Sequence, residues 1–176
     1  NALLESGALP PRSSEIYHLV IFPILKEDRS IIEPALDALT RQSFPSRQTF
    51  VVFALEERAD ERIKQDVAYV CSKHREHFLE CMTVIHPANI PGEARVKGAN
   101  VSFAAKAMTE LIRTKGIPIE HVIVSCFDAD TVVSRDYFAC LTYHFMITPD
   151  RFQASFQPIP MYHNNIWQVP SFARVI

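Results

Sequence analysis

The chain has 176 residues, which is enough for one compact domain with a core but not for two domains of ordinary size. Hydrophobic residues make up 48% of it and charged residues 22%, which excludes a wholly disordered chain. The formal net charge is -2 and Lys and Arg form no cluster, which argues against a nucleic-acid-binding surface. No apolar run approaches the roughly 20 residues that span a bilayer. The first residue is Asn rather than Met, so we expect a piece of a longer polypeptide.

Residues 1–15 show no periodicity and contain a Pro-Pro pair, which indicates a linker or N-terminal arm before a domain at residues 16–176. Four continuous apolar runs follow, typical of strands buried on both faces of a parallel sheet. They lie at residues 17–22, 50–55, 81–85 and 122–127. Helical spacing predicts helices between and after these runs, at residues 31–39, 60–71, 101–112 and 134–145. Apolar Phe and Ala alternate with polar Gln and Ser over residues 152–156, which predicts a further strand with one face more exposed to solvent.

Helix boundaries are predicted from capping residues. Ser30 and Glu33 have the spacing of a capping box, although Pro34 is tolerable only in a first turn and leaves this start open by a few residues. Gly116 is expected to end the third helix and Ser134 to cap the fourth.

Cysteine and histidine give no metal or disulfide pattern. None of the four cysteines forms a C-x-x-C pair, which favours a reduced, cytosolic chain. His74 and His77 lie one helical turn apart without a third ligand, so we expect them on a solvated face.

Strands that alternate with helices predict an α/β, Rossmann-like fold with a mostly parallel sheet and helices on both faces. In such sheets ligands bind beyond the carboxyl ends of the strands. Polar residues follow every strand, and we expect them to gather along one edge: Lys26, Glu27 and Asp28; Glu56, Glu57 and Arg58; Glu93, Arg95 and Lys97; Asp128 and Asp130.

Glycine is too scarce for the usual nucleotide-binding loops. The four glycines (7, 92, 98 and 116) fit neither G-x-G-x-x-G nor G-x-x-x-x-G-K-[ST]. Asp128-Ala129-Asp130 offers another way to neutralise phosphates, because residues two apart in extended backbone project to one side. Mg²⁺ and Mn²⁺ bind through one or two carboxylates plus substrate phosphates. A solvated acidic turn is the alternative interpretation of this motif.

The order and spacing of these elements resemble the family 2 nucleotide-sugar glycosyltransferases, which have the GT-A fold. The resemblance covers residues 17 to about 160. Its elements are Val20-Ile21-Phe22-Pro23 with Glu27 after it, a first helix ending Arg41-Gln42-Ser43-Phe44-Pro45, Glu56, residues 95–100, and Asp128-Ala129-Asp130. It implies metal-dependent binding of a nucleotide diphosphate sugar and inverting transfer of the sugar to a saccharide or lipid acceptor. It also implies a membrane-associated parent enzyme that makes a polysaccharide or glycolipid on the cytoplasmic side.

For the nucleoside half of the donor, the resemblance implies a pocket lined by Pro23 and Glu27. It places Glu56 where the family has an Asp that contacts the base or ribose. Here Leu55-Glu56-Glu57-Arg58 replaces the family's D-D-G-S-type turn, so either Glu56 or Glu57 makes this contact.

The resemblance also implies that Lys97 and Asn100 contact the donor, and that Lys97 stabilises the charge of the diphosphate. Asp128 and Asp130 hold Mn²⁺ or Mg²⁺, and Asp130 is the more direct ligand. The family's general base and its Q-x-x-R-W segment have no counterpart here. Asp136 and Asp150 are the only later carboxylates and neither suits a base, so we expect the donor-binding part of a larger enzyme with the base unassigned.

Two other functions fit part of the pattern. Residues 122–132 match h-h-h-D-x-D-x-T of haloacid-dehalogenase-like phosphatases, in which Asp128 attacks phosphorus and Asp130 acts as acid and base. That family needs further Ser/Thr, Lys and acidic residues, for which the rest of the sequence has little room. The third possibility is a non-catalytic nucleotide-binding module.

Overall fold

The computed structural model describes residues 12–88, 90 and 97–158. Its strands are β1 (Tyr17–Pro23), β2 (Thr49–Glu56), β3 (Glu80–His86) and β4 (Val122–Cys126). Its helices are α1 (Arg29–Thr40), α2 (Glu61–His74), α3 (Lys97–Thr114) and α4 (Tyr137–Ile147). Four of the five predicted strands and all four predicted helices are confirmed.

All the strand pairs are parallel, and the order across the sheet is β3-β2-β1-β4. The α/β, Rossmann-like fold is therefore confirmed. From β1 the chain proceeds through β2 to β3 on one side, and then α3 returns it to β4 on the other side of β1. Helices α1, α2 and α4 cover one face of the sheet, and α3 covers the opposite face.

The central strands bury both faces, which explains their continuous apolar runs. In β1, Val20 and Phe22 pack towards α1 and α2, whereas Leu19 and Ile21 pack towards α3. The edge strand β4 differs, because α3 packs on β1, β2 and β3. Val124 in β4 is 57% exposed, so the expectation of a fully buried strand before Asp128 is wrong.

Two helix starts differ from the prediction. Asp28, not Ser30, is the N-cap of α1: its Oδ1 accepts from the backbone N of Ser30 at 2.9 Å and from the Ser30 hydroxyl at 2.6 Å. Pro34 consequently lies inside α1. Ser134 does not cap α4; instead Gln42 Oε1 accepts from the backbone N of Phe138 at 3.2 Å. In both cases the free N–H groups at the start of the helix donate to a different side chain from the one predicted.

The ends of α2 and α3 are as expected. Asp60 caps α2 by accepting from the backbone N of Arg62 at 2.8 Å. Gly116 follows α3 with a φ of 70°, in the left-handed region that favours glycine.

The strand predicted at residues 152–156 is not formed. Gln153 donates to the carbonyl of Asp150 at 2.9 Å, which closes a turn, and residues 154–158 have no regular structure.

The residues just before β1 are bound to the rest of the fold. Gln48 Nε2 donates to the carbonyl of Ile16 at 2.7 Å. Residues 1–11 of the predicted arm lie outside the described residues. Within the described ranges, the helices are all too short or too polar to cross a membrane.

Candidate functional site

The carboxyl ends of the four strands meet at one edge, in the order His86, Glu56, Pro23 and Cys126. The strand order reverses between β1 and β4, and open α/β sheets bind ligands at such a reversal. The gathering of strand-end residues is confirmed for the sets after β1, β2 and β4. Glu93 and Arg95 lie outside the described residues, and for Lys97 the structure gives only the backbone, at the start of α3.

Asp128 and Asp130 lie immediately after β4, beside the end of β1. The backbone N of Phe127 donates to the carbonyl of Ile21 at 3.0 Å, which continues the pairing one residue past β4. Ala129 is 3% exposed, whereas Asp128 and Asp130 are both exposed. Thr131 donates to the carbonyl of Asp128 at 2.9 Å, so the backbone turns here and is not extended. The extended backbone from which a common side was predicted for the two carboxylates is therefore not formed, although both residues are exposed.

The loop after β1 is shaped by its own acidic residues. Pro23 is buried and pairs with Ala54 at the end of the strand. Glu27 Oε2 accepts from the backbone N of Leu25 at 2.7 Å and of Lys26 at 3.0 Å. Hydrogen bonds from Ser30, first that of its hydroxyl, hold the pKa of Asp28 below its ordinary value. Glu27 and Asp28 therefore have structural roles in this loop.

Glu56 lies on the other side of β1, at the end of β2. Its Oε2 accepts from Arg58 Nε, and its Oε1 accepts from Asn100 Nδ2 at 3.4 Å. The hydrogen bond from Arg58 lowers the pKa of Glu56 against the opposing effect of burial, so the carboxylate is ionised at neutral pH. Glu57 Oε2 instead accepts from the backbone N of Ala88 at 2.8 Å. Glu56 rather than Glu57 is thus the carboxylate that contacts Asn100.

His86 is a residue that the sequence reasoning missed. It is 8% exposed at the end of β3, and its Nδ1 lies 2.9 Å from Oδ1 of Asn100, which is 4% exposed. His86 directly follows the third predicted strand, so the rule applied to the other strand ends would have included it. Asn100 was expected to contact a donor, and the structure shows its amide engaged with both His86 and Glu56.

His74 does not lie on a solvated face. It is 4% exposed, with Nε2 at 2.9 Å from Asp37 Oδ1 and Nδ1 at 3.0 Å from the carbonyl of Val70. The prediction fails because helical spacing does not reveal that α1 packs against this turn of α2. His77 is exposed, as expected.

Among the residues that the structure describes, three or more His, Cys, Asp or Glu side chains never come together as a metal-binding group. Two carboxylates can also share a Mg²⁺ or Mn²⁺ ion with substrate phosphates and water, and Asp128 and Asp130 are the candidate ligands for that mode. Glu56 is two strands away, roughly 10 Å across the sheet edge. The two acidic positions thus lie on either side of the end of β1.

The chain matches no protein-family model, and no curated protein matches it. The fold alone does not specify an activity, since α/β sheets of this type carry many.

Proposed function

We propose that this chain is the donor-binding part of a GT-A glycosyltransferase and binds a nucleotide diphosphate sugar through Mn²⁺ or Mg²⁺ at Asp128 and Asp130. One observation carries the proposal. Two exposed carboxylates flank the buried Ala129 at the point where the parallel sheet reverses its strand order.

The spacing of the acidic residues supports an extended ligand. With the diphosphate beside Asp128 and Asp130, the nucleoside extends across the end of β1 towards Glu56. An ionised carboxylate there accepts hydrogen bonds from ribose hydroxyls or from a base N–H. Lys97, at the start of α3, is the proposed cationic partner of the diphosphate.

The bound cation supplies charge stabilisation for the nucleotide diphosphate as it leaves the sugar. Asp128 and Asp130 orient the donor by holding its diphosphate, and Glu56 orients its nucleoside. The acceptor hydroxyl needs a general base on the opposite face of the sugar. In the described part of the chain, Asp136 is exposed at the start of α4 and Asp150 is exposed in a turn, so neither is assigned this role.

The wider context rests on the resemblance in the sequence. We propose a saccharide or lipid acceptor, an inverting transfer, and a membrane-associated parent enzyme that makes a polysaccharide or glycolipid on the cytoplasmic side.

A thermal-shift measurement tests donor binding. Uridine or guanosine diphosphate at about ten times its Kd, with Mn²⁺, should raise the Tm by about 3–6 °C. The shift should disappear without Mn²⁺ and in Asp130→Asn, and should persist in the matched control Asp136→Asn. A shift that does not need the metal, or no shift with either nucleotide, would overturn the proposal.

Activity assays on the same protein distinguish the transferase from the phosphatase and from the non-catalytic nucleotide-binding module. Turnover of an aryl phosphate that is lost in Asp128→Asn would favour the phosphatase over the transferase. Metal-dependent nucleotide binding without sugar transfer is the expected behaviour of this chain alone. If the longer enzyme also fails to transfer sugar, the non-catalytic nucleotide-binding module is favoured.

A further inference from the structure

Three polar side chains from separate segments meet where β2 and β3 end. Glu56 closes β2, His86 closes β3, and the two are partners in the strand register. Asn100 lies in the first turn of α3 and bridges them. Phe103, on the next turn of α3, packs on the ring of His86 with 4.8 Å between centroids. His86 has no part in the function proposed above.

The hydrogen bonds in this cluster have a definite direction. The ionised Glu56 carboxylate only accepts, so Asn100 must turn its Nδ2 towards Oε1, at 3.4 Å. That orientation leaves Asn100 Oδ1 facing His86 Nδ1 at 2.9 Å, so Nδ1 carries the hydrogen. His86 therefore donates to Asn100, and Asn100 donates to Glu56.

Burial decreases along the same path. Asn100 and His86 are 4% and 8% exposed, while the Glu56 side chain is 15% exposed and its other partner Arg58 is half exposed. A buried polar group that loses its partner is costly, so His86 and Asn100 hold one arrangement. A carboxylate has about four acceptor positions, and these two donors leave some of them for a ligand.

We propose that His86 is a positioning residue that acts through Asn100 to hold Glu56 ready for the nucleoside half of the donor. This inference rests on the function proposed above. A carboxylate repels a diphosphate and accepts from hydroxyl and N–H groups, which assigns Glu56 to the nucleoside. Asp128 and Asp130 lie two strands away. Loss of His86 should therefore weaken nucleoside recognition and leave diphosphate binding unchanged.

Calorimetric titration of the full chain tests this, with uridine diphosphate, guanosine diphosphate and inorganic pyrophosphate, each with Mn²⁺. His86→Phe keeps a ring for Phe103 and removes the Nδ1 donor. We expect about 5–20-fold weaker binding of the preferred nucleoside diphosphate, with pyrophosphate unchanged within about twofold. His86→Asn places an amide N–H near the position of Nδ1 and should recover affinity to within about threefold of the wild type. His77→Phe, the same change at an exposed histidine, should bind all ligands like the wild type.

A second variant covers the case in which His86→Phe does not fold. Asn100→Leu removes the Nδ2 donor at similar size without adding a charge, and should give the same selective loss of nucleoside affinity. Equal losses for nucleoside diphosphate and pyrophosphate, or no loss, would overturn the positioning role while the proposed function stands. A wild-type chain that binds neither ligand with Mn²⁺ would overturn both.

Discussion

The backbone N–H of Phe127 donates to the carbonyl of Ile21 at 3.0 Å, and this bond ties the segment before Asp128 to β1. The side chain of Phe127 is 8% exposed and packs against Phe22, with 6.1 Å between ring centroids. Both the main chain and the side chain of this residue therefore anchor the turn of Asp128 and Asp130 to the core. The position of the candidate metal ligands depends on that anchor.

Replacement of Phe127 should be costly. Its ring also contacts Tyr137 and Phe138, at 5.6 Å and 6.4 Å between centroids, so Phe127→Ala leaves a cavity beneath the turn. We expect a loss of about 3–5 kcal/mol in the free energy of unfolding, measured in urea. Phe152 is 64% exposed, and Phe152→Ala should cost less than about 1 kcal/mol. Similar losses for the two variants would contradict this account.

His18 should make the fold acid-sensitive. It is fully buried between Phe44 and Phe138, with Nε2 at 2.8 Å from Thr142 Oγ1, and its Nδ1 has no hydrogen-bond partner among the described residues. Burial lowers the pKa of His18 from 6.5 to about 3. The unfolded chain thus binds a proton that the fold excludes, and stability falls as the pH drops from about 6.5 towards 3.

The measurement is the free energy of unfolding in urea at pH 7 and pH 5. The His18 contribution should make the wild type lose about 2 kcal/mol more than His18→Phe over this interval. His77→Phe, at an exposed site, should lose as much as the wild type. An equal loss in His18→Phe and the wild type would show that His18 does not titrate in this way.

Gln42 should stabilise α4 by direct hydrogen bonds, although the two are far apart in the sequence. Its Oε1 accepts from Phe138 N at 3.2 Å, and its Nε2 donates to the carbonyl of Ser134 at 2.7 Å. We expect Gln42→Leu to cost about 1–2 kcal/mol, because it leaves the Phe138 N–H without this acceptor and removes one of the two hydrogen bonds to the Ser134 carbonyl, which also accepts from Tyr137 N at 3.1 Å. The exposed Gln153→Leu serves as control; a Gln42→Leu variant as stable as this one in urea would argue against the cap.

Much of the fold follows from local patterns in the sequence. The apolar runs that became β1 and β2 predict strands buried on both faces, and their bounds agree within one or two residues. Gly116 acts locally, through its own turn of backbone, and its position at the end of a helix is also predicted. The strand predicted at residues 152–156 is not formed because so short an alternation fits a turn as well as a strand, and backbone bonds from Gln153 and Ala154 to the preceding Asp150 and Arg151 close turns at its start.

The residues that could not be predicted depend on contacts distant in sequence. Gln42 caps a helix almost a hundred residues later, and His74 is buried by α1. The same distinction applies to the residues of the candidate site. Asp128 and Asp130 follow from a short motif at a strand end, whereas the pairing of Asn100 with His86 depends on how α3 packs over the ends of β2 and β3.

Mn²⁺ binding followed by electron paramagnetic resonance tests the central claim most directly, because the signal of free Mn²⁺ decreases as the ion binds. Uridine or guanosine diphosphate should increase the amount of Mn²⁺ that the wild-type chain binds beyond what protein and nucleotide bind separately. Asp128→Asn and Asp130→Asn should abolish this increase, and Asp136→Asn should retain it. The same increase in all three variants, or none in the wild type, would contradict a cation held between these two aspartates and a diphosphate.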